Sequence, residues 1–373
     1  MADEDSNGGR EADARRFGGP RGRRRRPRSR RQRVLAATAW ATAGLLLVGG
    51  AGLGFVYYQL NGNISGIDIN AALGTDRPEN VENGSMDILV MGSDSRAGDN
   101  AGYGGDEGSA RSDTAMIVHV NKQHDKASVV SIPRDTLLPR PSCEREDGGT
   151  APPRQAAMFN EAYQVGGPAC SVKTVESMTN IRMDHYVEVD FSGFKSLINT
   201  LGGVDVTVRQ SIQDSDSHLR LSPGTHTLNG EQALGLVRTR HAVGDGSDLS
   251  RIQLQQAFMR ALLDQVNSIG LFDNPKRLYD LANTATSSLT TDSELDSVGD
   301  LTGLAKVMKG IESQDISMAT MPVQYDPADP NRVLPLDKKS AQVWKALRAD
   351  KPIPKSATEG TAGSQTDIDG VVR

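Results

Sequence analysis

From residue 86 onward the chain sets short apolar runs against longer amphipathic stretches, and the two periods separate strands from helices. The runs MDILVMG (86–92), TAMIVHVN (114–121) and ASVVSIP (127–133) are each bounded by turn-forming or charged residues and read as strands. Residues 185–191 and 204–209 add two more. Helical spacing is weak over 166–179, firmer over 192–201 and 229–236, and strongest over 250–268. In that last stretch Leu254, Phe258, Leu262 and Val266 form one stripe whose face must be buried, and Ser250 with Gln253 stands at capping-box spacing. Helices near 275–284 and 295–311, a strand near 316–323 and a helix near 336–347 complete an alternating α/β order.

The ends of the chain break this pattern. Residues 34–60 carry no charge and exceed the ~20 residues needed to cross a bilayer, so they read as one N-terminal transmembrane helix. Ahead of them, residues 1–33 hold twelve Arg, no Lys and five acids, a balance of +7. Such a tract stays on the cytoplasmic side, and Tyr57 and Tyr58 fall at the outer interface. The expected protein is therefore a single-pass cell-membrane protein with a cytoplasmic N-terminus and an extracytoplasmic domain. A cleaved or twin-arginine leader fits less well, because the apolar run is long and no A-x-A site follows it. With the whole chain at −5, residues 34–373 carry −12, so the basic tract implies no nucleic-acid partner. Residues 61–85 read as a polar connector, 86–349 as the folded domain and 350–373 as a disordered tail.

Cys143 and Cys170 are the only cysteines, and export places them where a disulfide persists. Spacing alone leaves both a bridge and two buried thiols open. No ligand pattern for zinc accompanies them.

Nucleophile-elbow, phosphate-loop and zinc-protease motifs are missing from the sequence. What recurs instead is Asp with Arg at strand ends. Asp94 and Arg96 follow the first strand, Arg111 and Asp113 precede the second, and Arg134 and Asp135 follow the third. Arg238 and Arg240 share the same i, i+2 spacing, which places both side chains on one side of an extended backbone. Asp248 and Arg251 open the long helix with Gln255 one turn on. One such pair alone is an ordinary solvated ion pair worth under ~1 kcal/mol. Five segments of this kind, at the end of an α/β sheet where ligands bind, suit phosphate chemistry. Guanidiniums grip phosphate oxygens, and carboxylates suit a Mg²⁺ that also takes phosphate ligands. His119 and His185 lie in predicted strands and read as packing or hydrogen-bonded residues rather than bases.

The ordered segments DILVMGSDSR, RSDTAMIVHV, VVSIPRDT, FNEAY, DHYVEVDFSGF, LGGVDVTV, LNGEQALGLVRTRH and DLSRIQLQQAF resemble those of LytR-CpsA-Psr proteins. The resemblance implies a three-layer α/β/α sandwich over a mixed sheet, with an apolar tunnel for a polyprenyl chain and a pyrophosphate–Mg²⁺ site at its mouth. It implies a phosphotransferase that moves wall teichoic acid, capsule or arabinogalactan-type glycopolymers from a polyprenyl-pyrophosphate carrier to peptidoglycan. On this pattern Asp94 and Asp113 match the Mg²⁺-associated carboxylates, and Arg111, Arg134, Arg238 and Arg240 the pyrophosphate-binding arginines, with Arg96 a looser match. Asp248 matches the residue that activates the acceptor hydroxyl, while Arg251 and Gln255 would orient the phosphates. Met158 and Leu254 depart from the pattern, replacing a Lys and an Arg common in the family, and the 97–110 loop is long. Two other functions keep the arginine grip: a non-enzymatic binder of polyprenyl-linked glycans, and a hydrolase using water as acceptor.

Overall fold

The apolar runs become the strands of one mixed sheet. The protein is described by a computed structural model over residues 31, 50–75, 77–81, 83–93, 112–145, 147–240, 243–244, 246–270 and 274–365. The chain divides into two units, Met1–Phe55 and Val56–Arg373. In the first, residues 31 and 50–55 are described and are helical. Among the described residues no helix is long and apolar enough to cross a membrane. Most of the expected 34–60 span lies outside them.

The second unit holds a seven-stranded sheet of β1 (Ser65–Ile67), β2 (Met86–Ser93), β3 (Ser112–Val120), β4 (Ala127–Ile132), β5 (His185–Asp190), β6 (Leu289–Asp292) and β7 (Ile316–Thr320). Their order is β1-β6-β5-β2-β3-β4-β7. The β1/β6, β5/β2 and β4/β7 pairs are parallel, and β6/β5, β2/β3 and β3/β4 are antiparallel. Around the sheet run α1 (Ile69–Leu73), α2 (Phe159–Thr179), α3 (Phe191–Leu201), α4 (Gly230–Arg238), α5 (Asp248–Ser268), α6 (Pro275–Ser288), α7 (Val298–Met308), α8 (Asp337–Arg348), α9 (Lys355–Thr358) and α10 (Ala362–Gln365).

β3 is apolar at nearly every position because both of its faces are covered. Ala115 and Ile117 pack with Val172 and Val175 of α2 and with Val343 and Trp344 of α8. Met116, Val118 and Val120 cluster instead with Met259 and Leu263 of α5 and Val307 of α7. A second core joins α3, α4 and α5 to a ribbon formed by Val204–Val208 and Gly224–Leu228, through Ile198, Val206, Leu236, Leu254 and Phe258. The strand expected at 204–209 thus exists but belongs to this ribbon rather than the main sheet.

Local chemistry explains other departures. α5 starts at Asp248 because Ser247, not Ser250, is its cap, accepting from the Ser250 N–H at 3.3 Å. The weak period over 166–179 has a cause as well: α2 is kinked at Gly166 and Gly167, which shifts the phase of its buried residues. A Cβ at Gly166 would lie 2.3 Å from the Glu144 carbonyl oxygen, so the neighbouring ribbon presses on the kink, and the Cys143–Cys170 disulfide fastens it there.

Neither flank of the expected 86–349 domain is merely polar chain. Within 61–85, β1 pairs with β6, and Ile69 and Leu73 of α1 enter the main core. Within 350–373, Ala357 and Ala362 enter the same core, and Gln253 of α5 donates to the Gly363 carbonyl at 2.8 Å. Small apolar residues spaced by polar ones leave little signal in composition, yet they bury well against an existing surface.

Candidate active site

Strand register brings the chemistry together. Ser93 at the end of β2 pairs with Ser112 at the start of β3, and Ile132 at the end of β4 pairs with Ala115. Asp113 therefore stands at the same sheet end from which Arg134 emerges two residues after β4. The first turns of α5 pack over this end. The Gln255 amide donates to Thr114 Oγ1 at 2.9 Å and to the Val237 carbonyl at 3.1 Å, tying β3, α4 and α5 to one another.

Arg251 is 3% exposed, pairs with Asp248 one turn earlier, and donates to the Asp113 carbonyl at 3.1 Å. Arg134 pairs with Asp113, and its Nε lies 3.6 Å from Asp135 and 3.7 Å from Asp248. A guanidinium so placed faces three carboxylates at once. Burial pushes the Asp113 carboxyl up, but Arg251, Arg134 and Arg240 outweigh it and hold its pKa below the usual value. Asp135 goes the other way: burial and then the neighbouring Asp248 raise it, against Arg134 and Arg332. Burial, reinforced by Arg251 and Arg134, lowers the Arg240 guanidinium, so three like charges are crowded here. Asp248 Oδ2, Arg134 Nε and Arg251 Nε are buried without a hydrogen-bond partner. Buried atoms of this kind ordinarily find one, which marks the place for a polar ligand.

Two cavities meet at these residues. One, of about 140 Å³, is apolar and lies between the sheet and α3, α4 and α5, lined by Val90, Met116, Phe194, Leu234, Phe258 and Leu262. The other, of about 190 Å³, is polar and is lined by Asp214, Asp216, Ser217 and Arg240. Asp113, Arg238 and Arg251 line both. Arg238 also lies over the Phe191 ring, 4.7 Å from its centroid, so its charged head sits on the boundary between apolar wall and polar cleft.

Of the residues singled out in the sequence, Asp113, Arg134, Arg238, Arg240, Asp248, Arg251 and Gln255 are brought to this one place. Asp94, Arg96 and Arg111 lie outside the described residues. Arg238 and Arg240 reach the cleft by a route other than the extended one expected: Arg238 is the last residue of α4, and the chain turns extended only at Thr239. His119 is a buried, hydrogen-bonded residue, its ring nitrogens meeting Asp87 at 2.9 Å and Asp350 at 3.2 Å. His185 pairs with Asp292. Sequence reasoning missed Asp214, Asp216 and Ser217, which belong to a hairpin of Ile212–Asp214 and Leu219–Leu221, and Arg332, 3.9 Å from Asp135. None of these stands in a motif. The hairpin announces itself only as a polar turn.

Among the described residues no three His, Cys, Asp or Glu side chains converge as a metal cage. Mg²⁺ needs no such cage, since it takes one or two carboxylates and completes its shell with phosphate and water oxygens. A carboxylate kept ionised, as Asp113 is, fits that role.

Comparison with known proteins places the whole folded unit. The profile of the LytR_cpsA_psr family matches residues 56–349. The chain is 31% identical over 316 residues to a probable cell wall biosynthesis protein, LcpB, of Corynebacterium glutamicum, covering 83% of this chain and 70% of that one. It is 28% identical to the polyisoprenyl-teichoic acid–peptidoglycan teichoic acid transferase TagT of Bacillus subtilis, covering 88% of this chain and 98% of TagT. A solved structure of TagT bound to LIIa-WTA superposes with a TM-score of 0.53 at 27% identity, covering 74% of this chain and 96% of that one.

Proposed function

The chain belongs to the LytR_cpsA_psr family, and on that footing we propose that it moves a cell-wall glycopolymer from a polyprenyl-pyrophosphate carrier onto peptidoglycan. The observation that carries this reading is the shared wall of the two cavities. An amphiphile with a long apolar chain and a charged diphosphate needs an apolar cavity and a cationic cleft side by side, and Arg238, Arg251 and Asp113 stand where the two join. Relatives named as teichoic acid transferases support the same direction.

In this reading Arg134, Arg238, Arg240 and Arg251 hold the diphosphate oxygens, with Arg111 and Arg96 joining them from the segment ahead of β3. Gathered in one cleft, they make a local positive field for a polyanion although residues 34–373, these arginines included, carry −12. The acceptor's primary hydroxyl attacks the glycopolymer-linked phosphorus, its P–O bond to the polyprenyl phosphate breaks, and that phosphate leaves with the bonding electrons. Asp248 takes the hydroxyl proton on Oδ2, the oxygen without a hydrogen-bond partner. Gln255 fixes the geometry by bracing β3 against α4. Asp113, together with Asp94 on the family pattern, would hold a Mg²⁺, which would neutralise charge on the diphosphate. Positioning and fixed charge supply most of the rate.

The same proposal keeps 34–60 as a single membrane span with residues 1–33 cytoplasmic and the folded unit outside, where the Cys143–Cys170 disulfide persists. The catalytic domain then takes in β1 and α1 ahead of residue 86 and the short helices beyond residue 349.

The test is turnover of a polyprenyl-pyrophosphate oligosaccharide by the full chain in detergent, with Mg²⁺ and a peptidoglycan fragment. Release of polyprenyl phosphate that depends on the acceptor and disappears in Arg238→Ala and Asp113→Ala supports the transferase. Binding without turnover would make the protein a glycan-binding regulator, and release independent of acceptor would make it a hydrolase. Loss of turnover in a chelator, restored by Mg²⁺, is the expected metal response.

A further inference from the structure

The polar cleft contains an acid that phosphate binding does not call for. Asp214 is 6% exposed, and both of its carboxylate oxygens accept from backbone N–H groups. Oδ1 accepts from the N–H groups of Asp216 at 2.9 Å and Ser217 at 3.1 Å, closing the hairpin turn. Oδ2 accepts from the N–H of Arg240 at 3.1 Å, 26 residues away. A second stitch runs beside it, from Ser217 Oγ to Thr239 Oγ1 at 2.9 Å, and Thr239 is fully buried. The hairpin and the arginine segment after α4 are thereby fastened at two adjacent points.

The fastening matters because of what Arg240 faces. Its guanidinium shares the cleft with those of Arg251 and Arg238, and Arg134 adds to the field. Before an anion arrives, these like charges push one another apart. Arg251 is held by Asp248 within α5, and Arg134 by Asp113 of β3. Arg240 lies two residues beyond the end of α4, outside any regular element, and its backbone N–H is held by Asp214.

We propose that Asp214 is a positioning residue for the diphosphate site, acting through the backbone of Arg240 to keep that guanidinium in the cleft. This deepens the transferase reading and rests on it for the identity of the anion. The arrangement makes two separable statements. The Oδ1 anchor shapes the turn, and the Oδ2 anchor places Arg240. In Asp214→Asn the amide oxygen satisfies the two turn N–H groups and leaves its NH₂ against the Arg240 N–H, so the turn survives while the arginine anchor is lost. Asp214→Ala removes both.

The experiment measures Arg240 directly. Full chain in detergent, without ligand, is treated with phenylglyoxal, and modification of Arg240 is followed by mass spectrometry relative to exposed Arg209. Asp214→Asn should raise the relative rate at Arg240 by about tenfold, the scale of one charge-assisted hydrogen bond, while the melting temperature stays near wild type. Affinity for inorganic pyrophosphate should fall by a similar factor, and KM for the lipid-linked donor should rise with little change in kcat. Unchanged reactivity at Arg240 in Asp214→Asn overturns the proposal, as does a loss in kcat with KM intact. If wild type itself fails to bind pyrophosphate, the transferase reading fails, while the reactivity ratio still decides whether Asp214 holds Arg240.

Discussion

Replacing Arg251 by Ala should destabilise the protein and do so most at neutral pH. The side chain is 4% exposed and stands between Asp248, 13% exposed, and the Asp113 backbone, so its removal strands a largely buried carboxylate. Breaking a buried pair from one side costs roughly 3–5 kcal/mol. Asp248 keeps Arg134 Nε at 3.7 Å, which places the cost at the lower end, about 3 kcal/mol. For a folded unit of this size that lowers Tm by about 6 °C. The pH dependence has a definite sign. Burial pushes Asp113 up, yet Arg251 leads the partners that hold its folded pKa below 3.8 in the wild type. Its contribution to stability is therefore present above that value and lost as pH falls through the folded pKa. Without Arg251 the burial of Asp113 is less opposed and its folded pKa rises, so the variant's deficit is largest near pH 7 and narrows toward pH 4. Adding Asp248→Asn should recover part of the loss, because a neutral amide is easier to leave unpaired. Thermal melts of the three proteins across this range provide the assay. A variant within about 1 °C of wild type at neutral pH, a deficit that widens on acidification, or simple additivity in the double variant would refute the reasoning.

Burial lowers His119, but Asp87 and Asp350 outweigh it and raise its pKa above 6.5, so its contribution is full below 6.5 and lost as pH rises through the folded value. Melting temperature should fall over that window in wild type and be flatter in His119→Gln, with a residual slope from His185, raised likewise by Asp292. Reducing the Cys143–Cys170 bridge, which closes a 27-residue separation, should cost about 3 kcal/mol, read as a lower Tm in reductant that Cys143→Ala/Cys170→Ala reproduces without it. Phe258 is 2% exposed and packs on Phe194 with ring centroids 5.7 Å apart, so Phe258→Ala should lose roughly 3–5 kcal/mol in denaturant melts at unchanged m-value and enlarge the apolar cavity.

The sheet's central strands were legible because burial on both faces writes a continuous apolar run, as in β3. β6 was not: LTTD is four residues long, and only its pairing with β1 and β5 makes it a strand. The site was legible where a residue type is costly without a purpose, as with the arginines of 238–240 or Asp248 and Arg251. Asp214 escaped because an Asp in a polar turn is ordinary, and its second bond reaches a residue 26 positions away that no local pattern announces. Arg332 escaped for the same reason, meeting Asp135 through pairing of Thr136 with Val333. The folded stretch over 351–365 was hidden by composition, since Ala357 and Ala362 have too little apolar surface to mark a helix but enough to pack.

The central claim is that the acceptor's oxygen replaces polyprenyl phosphate on the glycopolymer's phosphorus, held by the arginines where the two cavities join. A donor radiolabelled only in the glycan-side phosphorus tests it most directly, incubated with full chain, Mg²⁺ and a peptidoglycan fragment. The account predicts that the label moves into a phosphodiester joining glycan to peptidoglycan, at a rate lost in Arg238→Ala. Label recovered as free glycan phosphate, or remaining in a tightly bound but unconverted donor, would contradict it.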